Sequence, residues 1–137
     1  MRKLRIINLA VVVTALVLEA LPVGAVLNFA VAPESGGGTE RMTYSYFDLM
    51  PFGYANFGPF ITAITTVALT VITVIACVSR KGAALCRFAG GLSLAGLAAS
   101  LAPLMFGLSF YSVVGLFISL MLAASAVLGF AGAVKNE

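Results

Sequence analysis

Long apolar runs separated by short polar breaks organise this chain. After the basic start Met1-Arg2-Lys3-Leu4-Arg5, residues 6–32 form a 27-residue apolar stretch whose one ionisable group is Glu19. That is long enough to cross about 30 Å of hydrocarbon as a tilted helix. Residues 33–56 break the pattern with Gly36-Gly37-Gly38, Glu34, Glu40, Arg41 and Asp48, and read as a solvent-facing loop with a flexible glycine linker. Three further apolar runs follow at 57–78, 83–106 and 110–133, separated by Ser79-Arg80-Lys81-Gly82 and by Gly107-Leu108-Ser109. The pattern predicts an all-α membrane protein, a four-transmembrane-helix bundle with an extracytoplasmic loop between its first two helices, in one domain over 1–137.

Composition agrees. Of 137 residues, 61% are hydrophobic and 9% charged, and the mean hydropathy is +1.11, whereas soluble domains are about 25% charged. Ala30-Val31-Ala32 has the form of a signal-peptide cleavage site, but the run before it exceeds the usual hydrophobic core of about 7–15 residues and carries Glu19 and Pro22, so an uncleaved anchor is expected. The bases set an orientation. Arg2, Lys3, Arg5, Arg80, Lys81, Arg87 and Lys135 fall on one side of the predicted spans and Arg41 on the other. The positive-inside rule then places both termini in the cytoplasm. The net charge of +3 is spread over the spans' ends and makes no nucleic-acid footprint. Cys77 and Cys86 fall at the cytoplasmic ends of spans two and three, where thiols stay reduced and serve packing.

Glu19 is the anomaly. It stands 13 residues beyond Ile6, about 20 Å along a helix and near mid-bilayer. An intramembrane acid is a functional candidate by default, and its partner should be named. No Lys, Arg or His lies at its depth, so Glu19 is expected to be a neutral acid bonded to a hydroxyl, with Thr66 and Thr70 as the candidate partners. Both belong to a stripe of Thr62, Thr66, Thr70, Thr73 and Cys77 that shares one helical face. A kink at Pro22 would free the Leu18 carbonyl beside the carboxyl, and Asn28, on the opposite face, would anchor a second contact near the outer leaflet. The third and fourth spans carry small residues at four-residue spacing (Gly91-Ala95-Ala99, Gly96-Ser100, Gly115-Ser119-Ala123, Ser125-Gly129-Ala133), which suit close packing inside one chain or between copies.

The loop between the first two spans is rich in rings: seven of the chain's 14 aromatics lie in residues 44–60. Tyr44, Tyr46, Phe47, Asp48, Phe52, Tyr54, Asn56 and Phe57 form either a cap along the outer headgroups or an interface for a membrane-protein partner. The run FDLMPFGYANFGPF, leading into a Thr-rich span, resembles small four-span membrane proteins of Gram-positive bacteria. That resemblance covers residues 44–66 and the span layout, implies a bacterial cytoplasmic membrane, and brings no activity or site residues. The chain is also similar to the small multidrug transporters in having four short spans and an acid in the first, which implies proton-linked transport through Glu19. It departs from them in its 24-residue loop, its lack of Trp and its one-sided charge. No catalytic constellation, metal-ligand set or cofactor motif is present in the sequence. Its expected partners are the lipid bilayer and either a membrane protein or a second copy of itself, in a non-enzymatic role.

Overall fold

The computed structural model describes residues 2–134; Lys135, counted above toward the orientation, lies outside the described residues. Four long helices dominate: α1 (Arg2–Ala20), α3 (Gly58–Val78), α4 (Gly82–Leu101) and α5 (Val113–Val134). Between α1 and α3 stand two strands, β1 (Ala25–Ala30) and β2 (Thr39–Tyr44), and a short helix α2 (Leu49–Gly53). Each long helix packs on two others, α1 and α4 both lying against α3 and α5. Among the described residues, three stretches are long and apolar enough to cross a membrane: Gly58–Val78, Gly82–Phe106 and Val113–Val134.

The structure corrects the first predicted span. Residues 6–32 are not one helix, because α1 stops at Ala20 and the chain turns through Leu21-Pro22-Val23-Gly24 into β1. Pro22 therefore ends the helix where a kink was expected. It disfavours helical backbone at Leu21 and has no amide to continue the ladder. Nor is the Leu18 carbonyl freed, since it accepts the Leu21 amide at 3.2 Å. The expected open loop is also largely built: β1 and β2 pair antiparallel from Ala25 opposite Tyr44 to Ala30 opposite Thr39. Gly36, Gly37 and Gly38 are no flexible linker but take φ of 105°, 67° and 95° to close this hairpin, with the Val31 amide bonding the Gly38 carbonyl at 3.0 Å. Such positive φ values are open to glycine at little cost. All six residues of β2 are exposed or half-buried. β2 thus carries one edge with no strand beside it.

The other boundaries shift little. The third predicted span is helical to Leu101 and continues as a tighter turn of helix over Ala102–Phe106, at Pro103. The fourth begins at Val113, where Ser112 caps α5 by accepting the Gly115 amide at 2.8 Å.

Small residues let α4 and α5 touch. A Cβ at position 129 would stand 2.8 Å from the Gly90 main chain and 3.0 Å from the Cys86 carbonyl oxygen. The Ser93 and Ser125 hydroxyls meet at 2.9 Å and those of Ser100 and Ser119 at 2.8 Å. The faces bearing Gly96-Ser100, Gly115-Ser119 and Ser125-Gly129-Ala133 are thus spent inside the chain. Gly91 and Ala95 are instead exposed. At the basic end, Arg5 of α1 donates to the Ala76 carbonyl at 2.9 Å and lies against Gly82, tying three helix ends together. Replacing Gly129 by Val should force α4 and α5 apart and cost about 1–3 kcal/mol. The check is thermal unfolding of the detergent-solubilised protein, where an unchanged midpoint would contradict the close approach.

Candidate functional site

Glu19 is the penultimate residue of α1 and is 0% exposed. It shares the inward face with Asn8, Val12 and Ala15, at the spacing of one side of a helix. Thr66 lies across from it on α3, eight residues beyond Gly58, or about 12 Å along that helix. Glu19 therefore sits in the hairpin-side half of the helices and not at their middle, a consequence of the early end of α1.

Both ends of Glu19 are engaged. The Thr66 hydroxyl lies 2.7 Å from its Oε1, and the Tyr46 amide donates to its main-chain carbonyl at 2.9 Å. That carbonyl is among the last four of α1, which have no partner within the helix. The Tyr46 amide caps it from a segment 27 positions away in sequence. Thr66 Oγ1 is also 2.9 Å from the Thr62 carbonyl oxygen. A hydroxyl carries one proton, so both contacts are hydrogen bonds at once when the acid supplies the other. The neutral carboxyl then donates to Thr66, and Thr66 donates to Thr62. Glu19 Oε2 and Asn8 Oδ1 are buried with no hydrogen-bond partner among the described residues.

Thr70 does not reach Glu19. Its hydroxyl donates to the Thr66 carbonyl at 2.8 Å, as those of Thr62 and Thr73 donate to the carbonyls of Gly58 and Leu69. The threonine stripe therefore satisfies itself along its own helix, and among the described residues only Thr66 of that stripe makes a hydrogen bond across helices. Asn28 lies on β1, not on a helix, and its amide nitrogen donates to the Ser109 carbonyl at 3.2 Å.

The aromatic segment divides into two groups. Tyr46 is core, not surface: it is 1% exposed and packs in one apolar cluster with Val12, Ala25, Ala63, Leu69, Ile118 and Leu122. Its ring lies against Gly24, where a Cβ would come within 3.0 Å. Burial, and next to it Tyr111, pushes the Tyr46 phenol above its ordinary value, so it stays neutral. Asn56 is also buried, its amide nitrogen donating to the Val26 carbonyl at 3.4 Å. By contrast Phe47, Asp48, Phe52, Tyr54 and Phe57 are exposed and Tyr44 is half-buried. Ring contacts hold these exposed groups in place, Phe29 on Tyr54 and Phe52 on both Phe57 and Phe60. Asp48 accepts the Ser45 amide at 2.9 Å and fixes the turn into α2.

Two features escaped the sequence reading. Asn8, three turns before Glu19 on the same face, was legible from that 11-residue spacing but is not ionisable and drew no notice. Tyr111, whose hydroxyl contacts Ser119 and the Gly115 carbonyl at 3.1 Å, joins the Ser100–Ser119 pair. Only its position one helical turn before Gly115 pointed there.

Removing the hydroxyl with Thr66→Val should destabilise the protein by about 1–2 kcal/mol, since the acid is left without a partner. Glu19→Gln, whose amide can still donate to Thr66, should stay within about 0.5 kcal/mol of the parent. Thermal unfolding in detergent reads both, and equal losses in the two variants would contradict the arrangement. No protein family, curated protein or solved structure matches this chain.

Proposed function

We propose that this chain is a four-helix integral membrane protein of a bacterial cytoplasmic membrane, with α1 as its first span and both termini in the cytoplasm. In this reading it is a non-enzymatic structural component that presents an ordered aromatic platform to a membrane-protein partner on the outer face. One observation carries it: the two-ended engagement of Glu19, which fastens α1 to α3 by its side chain and to the outer segment by its carbonyl. An intramembrane acid spent in this way is an assembly residue. In support, the interior hydroxyls are used on one another and on main-chain carbonyls, as in the Ser93–Ser125 and Ser100–Ser119 pairs. The exposed rings on a braced support have the character of interface anchors, rigid and rich in apolar area.

α1 is 19 residues long, about 28 Å, and its exposed Arg2 and Lys3 reach toward headgroups as anchors. The bacterial membrane rests on the resemblance in residues 44–66, and the orientation on the one-sided bases.

One observation favours a second reading, proton-linked transport: Glu19 Oε2 is buried with no hydrogen-bond partner among the described residues, which leaves one oxygen of an intramembrane carboxyl open to a passing cation that displaces the proton held toward Thr66. Lipophilic cations added to purified protein distinguish the two. The assembly reading expects no proton release above that of Glu19→Gln, and release dependent on Glu19 overturns it.

Topology is tested with Cys77 and Cys86 replaced by Ala and single cysteines introduced. A membrane-impermeant maleimide should label Gly37→Cys in intact cells and Lys81→Cys only after permeabilisation; the reverse pattern overturns the orientation. For the platform, Tyr54→Ala with Phe47→Ala should abolish cross-linking to the partner while the unfolding midpoint stays put, and an unaffected cross-link would count against it.

A further inference from the structure

The Tyr46 ring is held at the hairpin-side end of the helices by shape. It fits between two glycines: a Cβ at Gly24 would come within 3.0 Å of the ring, and one at Gly115 within 3.1 Å of its hydroxyl oxygen. Ala63 and Leu69 of α3 and Ile118 and Leu122 of α5 complete the cluster around it. The way from Glu19 to solvent on this side is short, since α1 ends one residue later and Leu21, Pro22 and Val23 are exposed.

Among the described residues no charge answers that of an ionised Glu19. α1 packs on α3 and α5. α5 carries no titratable group, and α3 carries only Cys77, eleven residues past Thr66 and about 16 Å along the helix. The nearest base on α1 is Arg5, 14 residues before Glu19 and about 21 Å away. From the hairpin side Tyr46 faces Glu19 and Tyr111 faces Tyr46, two phenols, while Asp48 is exposed and holds the Ser45 amide.

We infer that the outer segment is a proton-controlled plug: Tyr46 stays seated while Glu19 is neutral, and loss of that proton to the medium unseats it and admits water to the cluster from the hairpin side. The inference rests on the reading of Glu19 as the residue that fastens this segment. Thr66 has one proton and two contacts, 2.7 Å to Glu19 Oε1 and 2.9 Å to the Thr62 carbonyl oxygen, and both are bonds only when Glu19 donates. Once ionised, Glu19 takes the Thr66 proton from Thr62 or leaves Oε1 without a donor, and Oε2 already has none among the described residues. A buried carboxylate with neither donors nor a counter-charge is strongly unfavourable. Water supplies the donors, and the side closed by Tyr46 is where it enters. The seated state keeps Glu19 neutral and the open state lets it ionise, so seating weakens as pH rises, by up to about tenfold per pH unit.

The test uses the detergent-solubilised full-length protein with Cys77 and Cys86 replaced by Ala and one cysteine introduced as Ala63→Cys, at a position 0% exposed in the Tyr46 cluster. Its rate of labelling by a water-soluble maleimide is divided at each pH by that of Gly37→Cys in the exposed turn, which removes the pH dependence of the thiol itself. The ratio should rise at least about tenfold between about pH 6 and about pH 9, and should stay flat when Glu19→Gln is added. In the protein without introduced cysteines, exchange of the Tyr46 amide relative to the core of α3 should rise by the same factor. A ratio indifferent to pH, or a rise that survives in Glu19→Gln, overturns the inference. Slow labelling and slow Tyr46 exchange at both pH values lose only the plug. Fast labelling and fast exchange at both also remove the fastening role of Glu19.

Discussion

Glu19 bonds at once to two parts of the molecule, the helix α3 and the end of the hairpin. Its carboxyl meets Thr66 on α3, while its carbonyl accepts the Tyr46 amide from the end of the hairpin. The side-chain bond sets how α1 rotates against α3, because only one face of α1 carries Asn8, Val12, Ala15 and Glu19 inward. The main-chain bond sets where the hairpin ends. Once the Tyr46 amide is fixed, its ring drops into the cluster with Ala25, Ile118 and Leu122 and closes the hairpin-side end of the helices.

A buried acid is an expensive way to join helices, and the arrangement contains the cost. A neutral carboxyl donating to Thr66, which in turn donates to Thr62, leaves no charge and uses every proton in the chain of contacts. The remaining polar groups follow the same economy. Threonines of α3 bond back to their own helix, serines of α4 and α5 pair across the close approach at Gly90 and Gly129, and Arg5 caps carbonyls at the basic end. Without a hydrophobic drive between helices in lipid, such bonds and the close backbone contacts are what hold them together.

How much of this was legible depends on which signal each element carries. The helices α3, α4 and α5 follow from long apolar runs with clear polar breaks, and the structure moves their ends by a few residues, with the last turn of the third run tightened at Pro103. Glu19 stood out as the lone acid in an apolar run, and Thr66 as a hydroxyl at a comparable position. The hairpin did not stand out, because Ala25-Val26-Leu27-Asn28-Phe29-Ala30 continues the apolar run of α1 and an unbroken run has the same pattern in helix and strand. The signals that separate them were present in Pro22, Gly24 and the Thr and Tyr content of Thr39–Tyr44. Tyr46 could not be told from Tyr44 or Tyr54 by residue type, since its burial depends on the far end of β2 meeting the end of α1.

The central claim is that Glu19 pins the hairpin to the helices, and hydrogen–deuterium exchange at the Tyr46 amide tests it most directly. The account predicts that this amide exchanges as slowly as the core of α3 and at least about tenfold faster in Thr66→Val, where the acid is left without its partner. Exchange at Tyr46 as fast as at Gly36–Gly38, or protection indifferent to Thr66, would contradict it.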